Sequence, residues 1–60
     1  MEKLKEIREN AGLSRRELSR LIEIKEARYG HYENVRRELP VSIAKKIGTI
    51  LEINWWEIYE

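Results

Sequence analysis

The 60-residue chain has no cysteine, no aspartate, no glutamine and no phenylalanine, and only one histidine and one proline. Without cysteine, disulfides and thiolate metal sites are excluded. The lone His31 cannot by itself hold a structural metal. It also lacks the cysteine or aspartate that a nucleophilic or acid–base set would need. Ser14, Ser19 and Ser42 read as a helix cap, a small helix-contact residue and a first-turn residue. No enzyme, no cofactor and no small-molecule substrate is therefore expected. No apolar run approaches the ~18 residues of a membrane helix, and no signal-peptide core follows the N-terminus. The chain is expected to be soluble and cytoplasmic, with no membrane partner.

Sixty residues make one domain, 1–60. A chain of this size buries only about 60% of its unfolded surface, so each apolar residue matters. The core must come from eight Ile, six Leu, three Tyr and two Trp. The formal net charge is only +1, but it is unevenly spread. Residues 1–14 are neutral. Residues 15–37 hold seven Lys/Arg against four Glu, a net +3, and residues 38–60 hold two against four, a net −2. The positive charge sits on one central segment.

No stretch alternates with period two over the length of a strand, and five short helices fit the pattern. The first covers residues 2–11, with Leu4, Ile7 and Ala11 on one face. Gly12 ends it. The second is capped by Ser14, with Glu17 completing a capping box, and runs to Ile22 with Leu18, Leu21 and Ile22 as its stripe. Glu23 and Ile24 form a turn. The third covers 25–34 with Tyr29 and Tyr32 inward. The fourth covers 40–51, opening at Pro40 and burying Ile43, Ala44, Ile47, Ile50 and Leu51. The fifth is one or two turns, capped by Asn54 with Glu57 three residues on, and turns Trp55, Ile58 and Tyr59 toward the core.

The most informative segment is LSRRELSRLIEIKEARYGHYEN, residues 13–34. Two helices this short cannot stand alone in water, so others must brace them. The third then projects a polar and basic face at a fixed angle. That is the physical form of a helix-turn-helix reader of DNA.

The chain resembles the Xre/Cro family of lambda-repressor-like domains. The resemblance rests on an ordered set: LKEIRENAGLSRREL (4–18), ELS (17–19), HYEN (31–34), RRELP (36–40) and KKIGTILEIN (45–54). It runs over about residues 3–59 without a gap. The family pattern departs here at five places. Glu23 stands where the turn usually has glycine, Lys25 where Ser or Thr opens the third helix, Tyr29 for Ile or Val, Val35 for glycine, and Arg15 for glutamine. The resemblance implies an all-α fold of five helices and a third helix entering the major groove. It also implies a second helix seated on the phosphate backbone, a symmetric dimer, and an ion pair between Arg8 and Glu33.

On the third helix, Glu26, Ala27, Arg28 and His31 are the expected base contacts. Arg28 can donate to guanine O6 and N7, Ala27 can meet a thymine methyl, and Glu26 can accept from cytosine N4. Arg28 also reads as a phosphate contact or a free surface arginine, His31 as an ordinary exposed histidine, and Glu26 as a group that repels wrong sites. Gly30 lowers helix stability. Either DNA or another helix comes close there, or the loss is tolerated. Arg15, Arg16, Lys25, Asn34, Arg36 and Arg37 are expected at phosphates, which set register without reading sequence. Trp56 and Tyr59 are the expected homodimer surface, although Trp56 can equally fold onto its own monomer. The expected function is a sequence-specific regulator, a repressor, bound to double-stranded DNA as a homodimer through the helix 5 region. The rival is a protein-interaction module, such as an antitoxin or accessory domain that keeps the fold. Glu23, Glu26 and the small net charge favour the rival.

Overall fold

The computed structural model describes residues 1–34 and 39–60. Among these, four α-helices and one 3-10 turn occur, and no strand. The helices are α1 (Glu2–Asn10), α2 (Arg15–Leu21), α3 (Glu26–Asn34) and α4 (Val41–Leu51), followed by the 3-10 turn Trp55–Tyr59. The expected fifth α-helix is therefore a tighter element. Five residues close few bonds of the α type, whereas i→i+3 bonds suit so short a run. Glu57 N–H donates to the Asn54 carbonyl at 3.0 Å, and the Glu57 carboxylate accepts from the Asn54 amide at 3.3 Å. No described helix is long and apolar enough to cross a membrane.

The helix ends follow from local chemistry. Ser14 Oγ accepts from the Glu17 amide at 3.0 Å, and the Glu17 carboxylate accepts from the Ser14 amide at 2.8 Å. The bond from the Ser14 backbone, and after it the Ser14 side chain, hold the Glu17 carboxyl below its ordinary range. Pro40 lies just before α4, with φ −58° and ψ 139°, and its carbonyl accepts the first helical bonds. α1 and α2 stop in the same way. Gly12 has φ +72°, and the Leu13 amide reaches back to the Arg8 carbonyl at 3.2 Å. In α2 the corresponding bond runs from Ile24 to Ser19 at 3.0 Å, and the left-handed residue is Glu23 at φ +60°. This six-to-one closure satisfies orphan carbonyls but puts a Cβ in a strained region. Glu23→Gly should therefore stabilise the domain by about 0.5–1 kcal/mol, the strain relieved less the entropy glycine loses on folding. Thermal unfolding should show a Tm higher by a few degrees. An unchanged Tm would mean that the neighbours relax the Glu23 backbone.

The core joins all five elements: Leu4, Leu18, Ile22, Tyr29, Tyr32, Leu39, Ile43, Ala44, Ile47 and Ile58. α2 packs on α3, α1 braces α3, and the 3-10 turn packs on α4 and α1. Gly48 allows that last approach. A Cβ there would sit 3.0 Å from the Ile53 carbonyl oxygen and from Trp55 Cβ. Four residues expected inside lie outside. Leu21, Ile50 and Tyr59 are 48%, 40% and 41% exposed, and Ala11 is exposed at the end of α1. In α2 the i, i+4 pair Leu18–Ile22 meets the core, and Leu21 falls on the flank. In α4 the inward row is Ile43, Ala44, Ile47 and Gly48, leaving Ile50 on the flank. Both helices are covered on one narrow stripe only.

Candidate nucleic-acid interface

The inner side of α3 is locked down. Tyr29 is fully buried and Tyr32 and Glu33 nearly so. Glu33 is the hub. Its carboxylate accepts from Arg8 Nε at 2.7 Å and Arg8 Nη2 at 3.3 Å, which ties α3 to α1. Arg8 Nη1 also donates to the Leu13 carbonyl at 2.7 Å, which fixes the approach to α2. Arg15 Nε donates to Glu33 at 3.1 Å and Arg15 Nη2 to Asn34 Oδ1 at 3.1 Å. Burial, the strongest single influence, pushes the Glu33 carboxyl up. The hydrogen bonds from Arg8 and Arg15, the nearby Tyr29 hydroxyl and the Arg8 charge outweigh it, and the net direction is down. The Tyr29 hydroxyl is pushed far up, first by burial and then by Glu33, and makes no well-formed hydrogen bond.

The outer side of α3 is open. Glu26, Ala27, Arg28 and His31 are all exposed. A shallow groove of about 630 Å³ runs along it, lined by Arg15, Glu26, Ala27, Gly30, His31 and Asn34. Arg28 is not loose. Its Nε donates to the Tyr32 hydroxyl at 3.0 Å, and its guanidinium lies 5.8 Å from the centre of the Tyr32 ring. Lys25 stands just before α3, where its carbonyl accepts from the Tyr29 amide at 3.0 Å. Its side chain has no acceptor with which to cap the helix. Arg16 is exposed in the first turn of α2. Arg36 and Arg37 lie outside the described residues.

The structure thus brings together Glu26, Ala27, His31, Asn34 and Arg15 on one concave face, and Arg28 is not among the residues that line it but rests on Tyr32. The tie from Arg15 to Glu33 and Asn34 carries no signal in the sequence, because it spans 18 and 19 positions. Trp56 and Tyr59 belong to another surface. Trp56 is 52% exposed and Tyr59 is also exposed. Trp55 stands edge-on to both rings, with centroids at 5.7 and 6.2 Å. The Tyr59 hydroxyl donates to the Leu39 carbonyl. Among the described residues no cluster of three His, Cys, Asp or Glu could hold a metal.

A helix-turn-helix family model matches residues 4–55. No curated protein and no solved structure gives a significant match. With α2 and α3 forming the paired helices within a match that spans most of the chain, the protein belongs to the Xre/lambda-repressor-like helix-turn-helix family of DNA-binding regulators.

Proposed function

We propose that this domain reads one half-site of an operator with the outer face of α3 and acts as a repressor in the cytoplasm. One observation carries the reading: α3 is pinned on its inner side by Arg8, Glu33 and the two tyrosines, while Glu26, Ala27, Arg28 and His31 stand exposed. A rigid helix with a polar outer face fits the ~12 Å width of the major groove. Repression by occupancy asks only for tight seating on DNA. Arg15, Arg16 and Lys25 add positive charge at the rim, and Arg36 and Arg37 follow α3 in sequence. The exposed Trp56 and Tyr59 supply a surface for a second copy, which would present two α3 helices about 34 Å apart.

Selection from random duplexes, followed by mobility shifts across a salt range, tests this. An enriched two-half-site motif and an affinity that falls steeply with salt are expected. A flat salt dependence with no enriched sequence would sink it. The exposed Leu21 and Ile50, which flank a groove beside Lys45 and Lys46, favour a second reading in which the domain docks a protein.

Gly30 offers a separate check. A Cβ added there would meet only Arg15 Nη1, at 3.9 Å, so packing gives no reason for glycine. Gly30→Ala should stabilise the domain by about 0.5–1 kcal/mol, as in any helix interior. It should also weaken DNA binding several-fold, because the added methyl would stand in the groove that a duplex enters. A Tm gain with unchanged affinity would show that DNA does not approach closely there.

A further inference from the structure

We infer that Glu33 and Asn34 hold Arg15 as a preset clamp for a DNA phosphate, so that Asn34 serves the interface by positioning Arg15 and not by touching DNA. The inference rests on the DNA-reading role proposed above. It starts from a charge count. Glu33 is one carboxylate between two guanidinium groups, and Arg8 already matches it with bonds of 2.7 and 3.3 Å. The Arg8 and Glu33 side chains are 10% and 1% exposed, whereas Arg15 is 38% exposed. The surplus charge of the cluster therefore rests on Arg15, at the surface.

Geometry then says where that charge points. Arg15 rises from the first turn of α2 and crosses to the C-terminal end of α3. Nε is held by Glu33 and Nη2 by Asn34, each at 3.1 Å. A guanidinium has five N–H donors in a rigid plane, so three remain. Nη1 lies over Gly30, where an ideal Cβ would be 3.9 Å away and where no side chain stands in front of it. Arg15 and Gly30 line the same groove. The free donors thus open into the space that a duplex would enter. They lie over Gly30, at the edge of α3 that Arg15 reaches from the first turn of α2. A phosphate oxygen is the group met at that rim, and charge-assisted bonds to it suit the remaining fork. Two bonds already made leave little rotamer freedom to lose on binding.

Asn34 carries no charge, so its removal alone should not change the number of phosphates neutralised. It should loosen Arg15. Mobility shifts on a selected duplex across a salt range, run for Asn34→Ala, Arg15→Gln, Arg15→Lys and the combinations with Asn34→Ala, separate the roles. Thermal unfolding of each variant checks the fold, which Arg8 continues to secure through Glu33. Arg15→Gln should weaken binding about tenfold and flatten the log–log salt slope by about 0.9, the loss of one phosphate contact. Arg15→Lys should keep the slope and lose affinity. Asn34→Ala should cost several-fold with the slope kept in the native background, and nothing further once Arg15 is Gln or Lys. Equal losses from Asn34→Ala in all backgrounds would mean that Asn34 touches DNA itself, and would overturn the inference while leaving the DNA reading intact. An unchanged slope in Arg15→Gln would do the same. A native chain that binds no duplex would overturn both.

Discussion

Glu33→Ala should unfold most of the domain at room temperature or bring it close to that point. The substitution strands the Arg8 guanidinium, which is nearly buried, and frees Arg15 from α3. Breaking one side of a buried pair costs roughly 3–5 kcal/mol, mainly because a buried charge is left without compensation. A domain of 60 residues has on the order of 3–9 kcal/mol of stability in all. Urea or thermal unfolding followed by far-UV circular dichroism should therefore show a Tm drop of roughly 15 °C or more, or no transition. A loss under about 1 kcal/mol would mean that the pair is solvated in solution. Replacing both partners with apolar side chains of similar volume should recover much of the loss, since neither charge is then buried alone.

The same carboxylate makes stability depend on acid. Its folded pKa lies below its unfolded one, so its contribution is complete above the ordinary Glu value of about 4.3 and fades as pH falls through the folded value. Glu17 acts in the same direction. Glu33→Gln keeps the shape and cannot ionise. The Tm gap between the native chain and this variant should be widest near neutral pH and should narrow below about pH 4.3. A constant gap from pH 7 to pH 3 would contradict the assignment.

Arg28→Ala should weaken DNA binding by about ten- to a hundredfold and relax sequence preference at one position, with the helix content unchanged. Arg28 is exposed, so the fold does not lean on it. Its bond to the Tyr32 hydroxyl and its place over the Tyr32 ring hold the guanidinium in one position before any duplex arrives. Because Tyr32 is itself buried, that support is stiff. Arg28→Lys should not rescue the preference, because an ammonium cannot make the two parallel bonds that a guanine edge accepts. A uniform loss across sequences, with a salt slope lower by about one, would place Arg28 at a phosphate. No loss at all would remove α3 as the reader and favour a protein-docking role.

Much of the architecture was legible before any coordinates. The Ser14–Glu17 box, the Gly12 stop and the turn at Glu23 depend on groups within a few residues of each other, and the structure forms all three. The pattern was weaker where two faces of a short helix are both partly apolar. Leu21 and Ile50 satisfied the three-and-four spacing and still fell on uncovered flanks. Five apolar and polar residues after Asn54 could close as either kind of helix, and brevity selected the 3-10 form. The resemblance to known repressors implied the pairing of Arg8 with Glu33. It did not imply the tie from Arg15 to Glu33 and Asn34, because Arg15 departs from the common glutamine.

Local order, the helical class and the list of exposed candidates on α3 were written in the chain itself, because caps, periodicity and side-chain chemistry act over one or two turns. Only tertiary packing decided that two arginines from different helices would share one carboxylate and that Arg15 would end over Gly30. These choices join residues 15 to 25 positions apart. They depend on how α1, α2 and α3 cross, which side-chain burial sets and spacing alone does not.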